Sequence, residues 1–219
     1  YGAASGQGGY PSVESHWDQD RAAFVPSRDW GTLSASLPWL NRAFKTFQTF
    51  AHASMEEALQ TIPGEFQFLE ARCFESIVFL NLESTWKAIP LPDEAQISPL
   101  FGIGIGDFNN DGMEDLVGSQ NFFGVNALDS RQDAGMGLLL FGNGDGTFTA
   151  SLPASSGIAI RGEGRGLAVA DFDHDGRADF IATQHSGPTK LYRNLEQKVG
   201  LAVRLKGPAG NLQAIGAKG

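Results

Sequence analysis

Two nine-residue stretches obey one rule. "DFNNDGMED" occupies residues 107–115 and "DFDHDGRAD" residues 171–179, and both read D-F-[DN]-x-D-G-x-x-D. Their flanks correspond as well. "GIGIG" precedes the first and "GLAVA" the second, and "LVGSQ" and "FIATQ" follow them. Each copy is a short apolar strand, a tight acidic loop and a second short strand. A connection this short joins antiparallel neighbours, because a parallel crossover needs a dozen residues or more. Self-similarity of this kind marks a repeat architecture.

Hairpins complete the unit. In "GLLLFGNGDGTFTASLP", residues 138–141 read as a strand, 142–146 as a turn, and the chain returns from Thr147. "SIVFLNLESTWKAIPLP", residues 76–92, has the same layout, with Thr85-Trp86 answering Thr147-Phe148. After the second acidic copy, "TKLYRN" at residues 189–194 begins that strand again. Strand, acidic loop, strand and hairpin together make a four-stranded antiparallel blade. The 28 glycines suit so many tight turns. The opening "YGAASGQGGYPSV" keeps the outline of a third copy, with Gly8 in the place of Gly112 and Gly176. Ala3, Ser5, Gln7 and Pro11 stand where carboxylates stood. A repeat that has lost its charge and a Gly-rich terminus both fit it.

Residues 34–64 have another texture. Leu37, Leu40, Phe44, Phe47 and Phe50 recur at three- and four-residue steps, the spacing of an amphipathic helix. Ser54 and Glu57 read as a capping box for a second helix, which Pro63-Gly64 ends. The expectation is a helical insertion, with helices confined chiefly to residues 36–62, its aromatic stripe packed as core.

Crowded carboxylates on a tight turn repel one another unless a cation neutralises them. Calcium takes about six to eight oxygens, and Gly at the sixth place of such a loop permits the sharp turn. In the first loop the expected ligands are Asp107, Asn109, Asp111, the Met113 carbonyl and Asp115. In the second they are Asp171, Asp173, Asp175, the Arg177 carbonyl and Asp179. Two calcium ions are therefore expected. The second loop, with four carboxylates against three, is expected to bind more tightly. An EF-hand closes with Glu at place 12 on a helix; here place 9 is Asp and a strand follows. Glu114, His174 and Arg177 fall on outward, solvated places. "GNGDGTF" holds the single carboxylate Asp145 and reads as a plain hairpin turn.

The net charge of −9 argues against a nucleic-acid partner. No apolar run approaches the ~18 residues of a membrane span. The single cysteine, Cys73, excludes an internal disulfide; its setting "EARCFESIVFL" reads as a buried structural thiol. There is no H-E-x-x-H, G-x-S-x-G or C-x-x-C, and "GIGIGD" and "GEGRG" lack the context of a nucleotide loop. His16, His52, His174 and His185 are scattered. Trp17, Trp30, Trp39 and Trp86 would stack on sugars where exposed, with burial expected for at least half of them. The chain opens at Tyr1, as a mature form or a piece of a longer protein would.

The paired loops between short strands resemble FG-GAP/VCBS repeats, the calcium-binding blades of integrin-like β-propellers, and "LLLFGNGDGTF" is similar to the hairpin of those repeats. Residues 200–219, "GLAVRLKGPAGNLQAIGAKG", resemble the opening of an ASPIC/UnbV domain, in which a pattern near N-x-x-A-I-G-A recurs. Asn211, Ala214, Ile215, Gly216 and Ala217 fit it. The resemblance implies a mainly β fold: a partial β-propeller of four-stranded antiparallel blades with a helical insertion. Such propellers close with about seven blades, and this chain supplies roughly three. The rest of a longer chain or another subunit would then cover the open edges. The implied organisation is a degenerate repeat at 1–33, the insertion at 34–64, blades at 65–199 and an ASPIC/UnbV-like segment at 200–219. The implied function is a calcium-stabilised, extracellular or periplasmic module of a secreted protein. It would serve adhesion, or recognition of a protein or carbohydrate ligand, without catalysis. A propeller-based enzyme acting on polysaccharide and a structural subunit of a larger complex are the alternatives.

Overall fold

The structure is a computed structural model that describes residues 13–60, 66–125, 127, 129–195 and 205–216. It divides into two compact units, Tyr1–Arg72 and Cys73–Gly219. The Gly-rich opening, residues 1–12, lies outside the described residues, as do Pro63, Gly64 and Ala217.

In the first unit, β1 (Ser15–Asp18) and β2 (Ala23–Pro26) form an antiparallel hairpin. Trp17 faces Phe24 across it, the rings edge to face at 5.2 Å. Four short helices follow: α1 (Trp30–Ser36), α2 (Leu40–Ala43), α3 (Phe47–Ala51) and α4 (Met55–Gln60). The helical region thus begins at Trp30, ahead of the expected 36, where Asp29 caps the Thr32 N–H at 3.0 Å. The expected continuous helix is broken for local reasons. Pro38 has no N–H to donate and pushes Leu37 out of the helical region, to φ −130° and ψ 74°. Phe44 is extended, and Thr46 re-caps the chain by a reciprocal pair with Thr49. The stripe still makes the core, because Leu33, Leu37, Leu40 and Phe50 are buried together. Phe47 departs from it and is 60% exposed. The Ser54–Glu57 box forms as expected: Ser54 Oγ accepts the Glu57 N–H at 3.1 Å, and Glu57 Oε2 accepts the Ser54 N–H at 2.8 Å.

The second unit is antiparallel β throughout its sheets. β3 (Ile77–Leu82) and β4 (Thr85–Pro90) form a two-stranded hairpin. β5 (Leu100–Gly106), β6 (Asp115–Gln120), β7 (Leu138–Gly142) and β8 (Phe148–Ser151) form a four-stranded sheet in that order. β9 (Glu163–Ala170), β10 (Asp179–His185) and β11 (Gly187–Tyr192) form a three-stranded sheet in sequence order. Outside residues 36–62 a short helix, α5 (Pro153–Ser156), also stands between β8 and β9. The chain is therefore mainly β, and the sequence order of each sheet is that of a meander.

The alternation of β6 decides the packing. Leu116 points to one face, with Leu91, Ala95, Leu138 and Leu140. Val117 points to the other, with Phe108, Ile158, Ile160, Phe180 and Ala182. On that second face β5 and β9 lie very close. A Cβ on Gly104 would come within 2.5 Å of both Leu167 Cδ2 and Val169 Cγ2. The small residues of "GIGIG" are thus the seat for the large residues of "GLAVA".

Cys73 is exposed, which corrects the expectation of a buried thiol. The strand starts only at Ile77; residues 66–74 form no element, and Phe68, Leu69 and Phe74 are each more than three-quarters exposed. Apolar composition alone does not bury a segment that has no sheet or helix to carry it. Of the tryptophans, Trp17 and Trp86 are exposed while Trp30 and Trp39 are half-buried.

Candidate metal centre

Both acidic loops join two strands of one sheet, β5 to β6 and β9 to β10, and both fold in the same way. The fourth place takes the left-handed region, Asn110 at φ 53° and His174 at φ 61°, and the sixth place repeats it, Gly112 at φ 89° and Gly176 at φ 81°. Glycine tolerates that conformation without a Cβ clash, and asparagine tolerates it better than most residues.

The first aspartate of each loop is held by the backbone it precedes. Asp107 accepts the Asp111 and Gly112 N–H groups at 3.1 and 2.9 Å. Asp171 accepts those of Asp175 and Gly176, both at 3.0 Å. The fifth place then accepts from the seventh, Asp111 from the Met113 N–H at 2.8 Å and Asp175 from the Arg177 N–H at 3.0 Å. These are the side-chain to backbone turns that Asp favours, and they fix the carboxylates before any ligand arrives.

The ninth place is different. Asp115 and Asp179 are each 1% exposed. Asp115 accepts the Phe108 N–H at 2.8 Å and the Gly142 N–H at 2.9 Å. Asp179 accepts the Phe172 N–H at 3.0 Å and the Asn194 N–H at 2.7 Å. Each therefore ties its own loop to the end of the third strand of its sheet. Burial pushes the Asp115 carboxyl above the usual carboxylate range, the two N–H groups oppose that, and the Asp111 charge adds to it. Gly142 and Asn194 carry no residue-type signal for this role, because each contributes only its backbone. Asn194 also joins the loops, since its side-chain amide donates to the Phe108 carbonyl at 2.8 Å.

Carboxylate oxygens of Asp171, Asp173 and Asp179 lie within 4.8 Å of one another. That set is all hard oxygen, the donor type that suits calcium or magnesium rather than softer metals. Asp175 does not join it. Its Oδ2 accepts from Arg177 Nη1 at 2.5 Å and from Arg193 Nη2 at 3.3 Å, and Arg193 Nε bonds Asp173. Burial pushes the Asp175 carboxyl up, but the bonds from Arg177, that side chain's charge and Arg193 more than offset it and hold the carboxyl below the usual range. The Arg177 side chain is thus not a solvated outward group: only 19% exposed, it turns back onto Asp175. Glu114 and His174 are exposed as expected. In the first loop, Asn109 Oδ1 accepts the Asp111 N–H at 3.0 Å and its amide donates to Asp111 Oδ2 at 2.9 Å. Those two bonds hold Asn109 and Asp111 to each other, and among the described residues the carboxylates of Asp107, Asp111 and Asp115 are not gathered as closely as those of Asp171, Asp173 and Asp179.

Asp145 behaves as a turn residue. Its Oδ1 accepts both the backbone N–H and the hydroxyl of Thr147, at 2.9 and 2.6 Å. The hydroxyl bond first, then the backbone bond, draws its carboxyl below the usual range.

A pair of acidic strand–loop–strand units on adjacent antiparallel sheets defines a repeat class, and residues 107–182 match the model of the FG-GAP-like repeat. A curated relative with a matching stretch is cartilage acidic protein 1 of Homo sapiens, 41% identical over 59 residues, which is 26% of this chain and 9% of that protein. The match therefore spans about a tenth of that relative's length. Among the described residues, no helix is long and apolar enough to cross a membrane.

Proposed function

We propose that this chain is part of a calcium-stabilised, non-catalytic recognition or scaffold module of a longer extracellular protein. Its antiparallel sheets are blades of a partial propeller, and its ligand is a protein or a glycan. The observation that carries the reading is the repeated loop geometry: two acidic turns with the same backbone bonds, the second of which brings carboxylate oxygens of places 1, 3 and 9 within 4.8 Å of one another. Asp107, Asn109, Asp111, the Met113 carbonyl and Asp115 would hold one ion. Asp171, Asp173, Asp175, the Arg177 carbonyl and Asp179 would hold the other. A bound ion supplies the positive charge that offsets carboxylate repulsion and locks the strand ends together. Extracellular calcium, at millimolar levels, fills even weak sites of this kind. The FG-GAP-like match supports an extracellular setting, and the exposed Trp86 on β4 offers an aromatic surface to a ligand. Residues 200–219 are proposed as the opening of an ASPIC/UnbV segment. Within them Asn211 and Ile215 exchange two bonds of 2.9 Å, a local clasp that gives the signature asparagine a structural role.

The test is calorimetric titration of the 219-residue chain with calcium, paired with thermal unfolding with and without chelator. Uptake is expected, with a melting temperature that climbs as calcium rises. At a concentration 100-fold above Kd, binding to the folded state alone adds about 2.7 kcal/mol. An absence of binding heat together with a melting temperature indifferent to chelator overturns the reading.

The same titration has an expected pH signature. A carboxyl raised in the folded state favours its protonated form there. Its contribution to stability is present below the unfolded value, about 3.9, and is lost as pH rises through the raised folded value. Calcium needs Asp115 ionised, so proton and metal compete. The first loop should therefore lose calcium affinity on acidification above the usual carboxylate range, as Asp115 takes up its proton. First-loop affinity that holds unchanged until pH falls to the usual carboxylate value, about 3.9, would refute this.

A further inference from the structure

The two loops share geometry but not surroundings. Second-loop residues Asp173 and Asp175 are paired with two guanidinium groups, Arg177 and Arg193. Among the described residues, no cation is ion-paired to Asp107, Asp111 or Asp115 of the first loop. The difference lies at two equivalent places. Met113 occupies the seventh place of the first loop where Arg177 occupies that of the second. Phe141 precedes the Gly142 amide that binds Asp115, where Arg193 precedes the Asn194 amide that binds Asp179. The carboxylate count favours the second loop for a cation, four to three. With the two arginines included, the balance reverses.

We infer that Arg193 is a tethered counter-cation that competes with metal at the second loop, so that the first loop is the tighter calcium site and the second is held together without metal. This rests on the calcium reading above. Arg193 and Arg177 differ in their freedom. The Arg193 side chain is 58% exposed and sits at the end of β11, where it can swing into solvent. Arg177 is 19% exposed, with its Nε buried, and stays. An ion entering among Asp171, Asp173 and Asp179 meets the positive charge that already neutralises Asp173. It must displace Arg193 or bind beside it, and either lowers affinity. The same guanidinium spans Asp173 and Asp175 and removes their mutual repulsion in calcium-free conditions. The expected order of the two sites is therefore the opposite of the one the aspartate count implies.

The experiment uses the full chain with Asp111→Ala, which weakens the first loop, so that calcium heat reports the second. Adding Arg193→Gln is expected to raise calcium affinity about twofold to fivefold, the scale of one partly exposed ion pair. Arg193→Lys, which keeps the charge, is expected to retain the weak binding. In chelator the sign inverts, because Arg193→Gln alone lowers the melting temperature while enlarging the rise that calcium brings. A purely structural arginine would lower stability and leave calcium affinity unchanged or reduced; either result overturns the inference. If the unmodified chain binds two ions and Arg193→Gln changes neither, this inference alone falls. If no variant and no unmodified chain takes up calcium, the calcium reading falls with it.

Discussion

Asp115→Ala is expected to destabilise the chain by about 3 kcal/mol in the complete absence of calcium. The reason is local. Asp115 is 1% exposed and is the acceptor for the Phe108 and Gly142 N–H groups. Alanine leaves two buried donors without a partner, and each such donor costs about 1–3 kcal/mol. Relief of the buried charge offsets part of that sum. The melting temperature should fall by roughly 10 °C for a domain of this size. Asp179→Ala should behave alike, because Phe172 and Asn194 lose the same acceptor. Asp111→Ala, an exposed position, should cost far less in chelator and show its effect only with calcium present. Urea unfolding of the three variants with and without chelator separates these roles. A wild-type midpoint for Asp115→Ala in chelator would show that the ninth place serves the metal alone.

A second large effect is expected from a position without any polar chemistry. Gly104→Leu should destabilise by about 3 kcal/mol, at the upper end of the overpacking range. The Cβ already meets Leu167 Cδ2 and Val169 Cγ2 at 2.5 Å and Val117 Cγ1 at 3.1 Å, all branched core side chains with little room to move. Ala168 holds the equivalent place in the second copy, in "GLAVA", yet it is exposed. Ala168→Leu is therefore expected to change stability by no more than about 0.5 kcal/mol. Equal costs at the two places, measured by chemical denaturation, would mean that β5 and β9 are not packed as described.

The contrast between Gly104 and Ala168 shows where sequence reading stops. The two repeats were legible because strands, a glycine-dependent turn and carboxylate spacing are local properties. Such properties write themselves into residue order: period two for the strands, Asp at odd places, Gly at the sixth place. The β3–β4 hairpin and the turn at Asp145 were legible for the same reason, as was the Ser54–Glu57 cap. The helical region was legible in texture but not in continuity. There Pro38 and the Thr46–Thr49 cap cut one apolar stripe into short helices.

Cys73 and Arg177 mark the other limit. The immediate neighbours of each point one way, and what lies elsewhere in the fold decides the other. Cys73 is exposed because residues 66–74 join no element. Arg177 turns inward because Asp175 waits beside it, and Asp175 is also reached by Arg193 from the end of another strand.

By itself, then, the sequence determined that this chain repeats an acidic strand–loop–strand unit, that its sheets are antiparallel, and which oxygens each loop can offer. Each of those follows from interactions within about ten residues. Only the tertiary structure decided which copy's small face receives the other's large one. It also decided that Gly142 and Asn194 hold the ninth-place aspartates, and that, among the described residues, arginines pair with the carboxylates of one loop and not the other. Backbone amides have no residue type to read, and charges from distant strands become neighbours only when the sheets have formed.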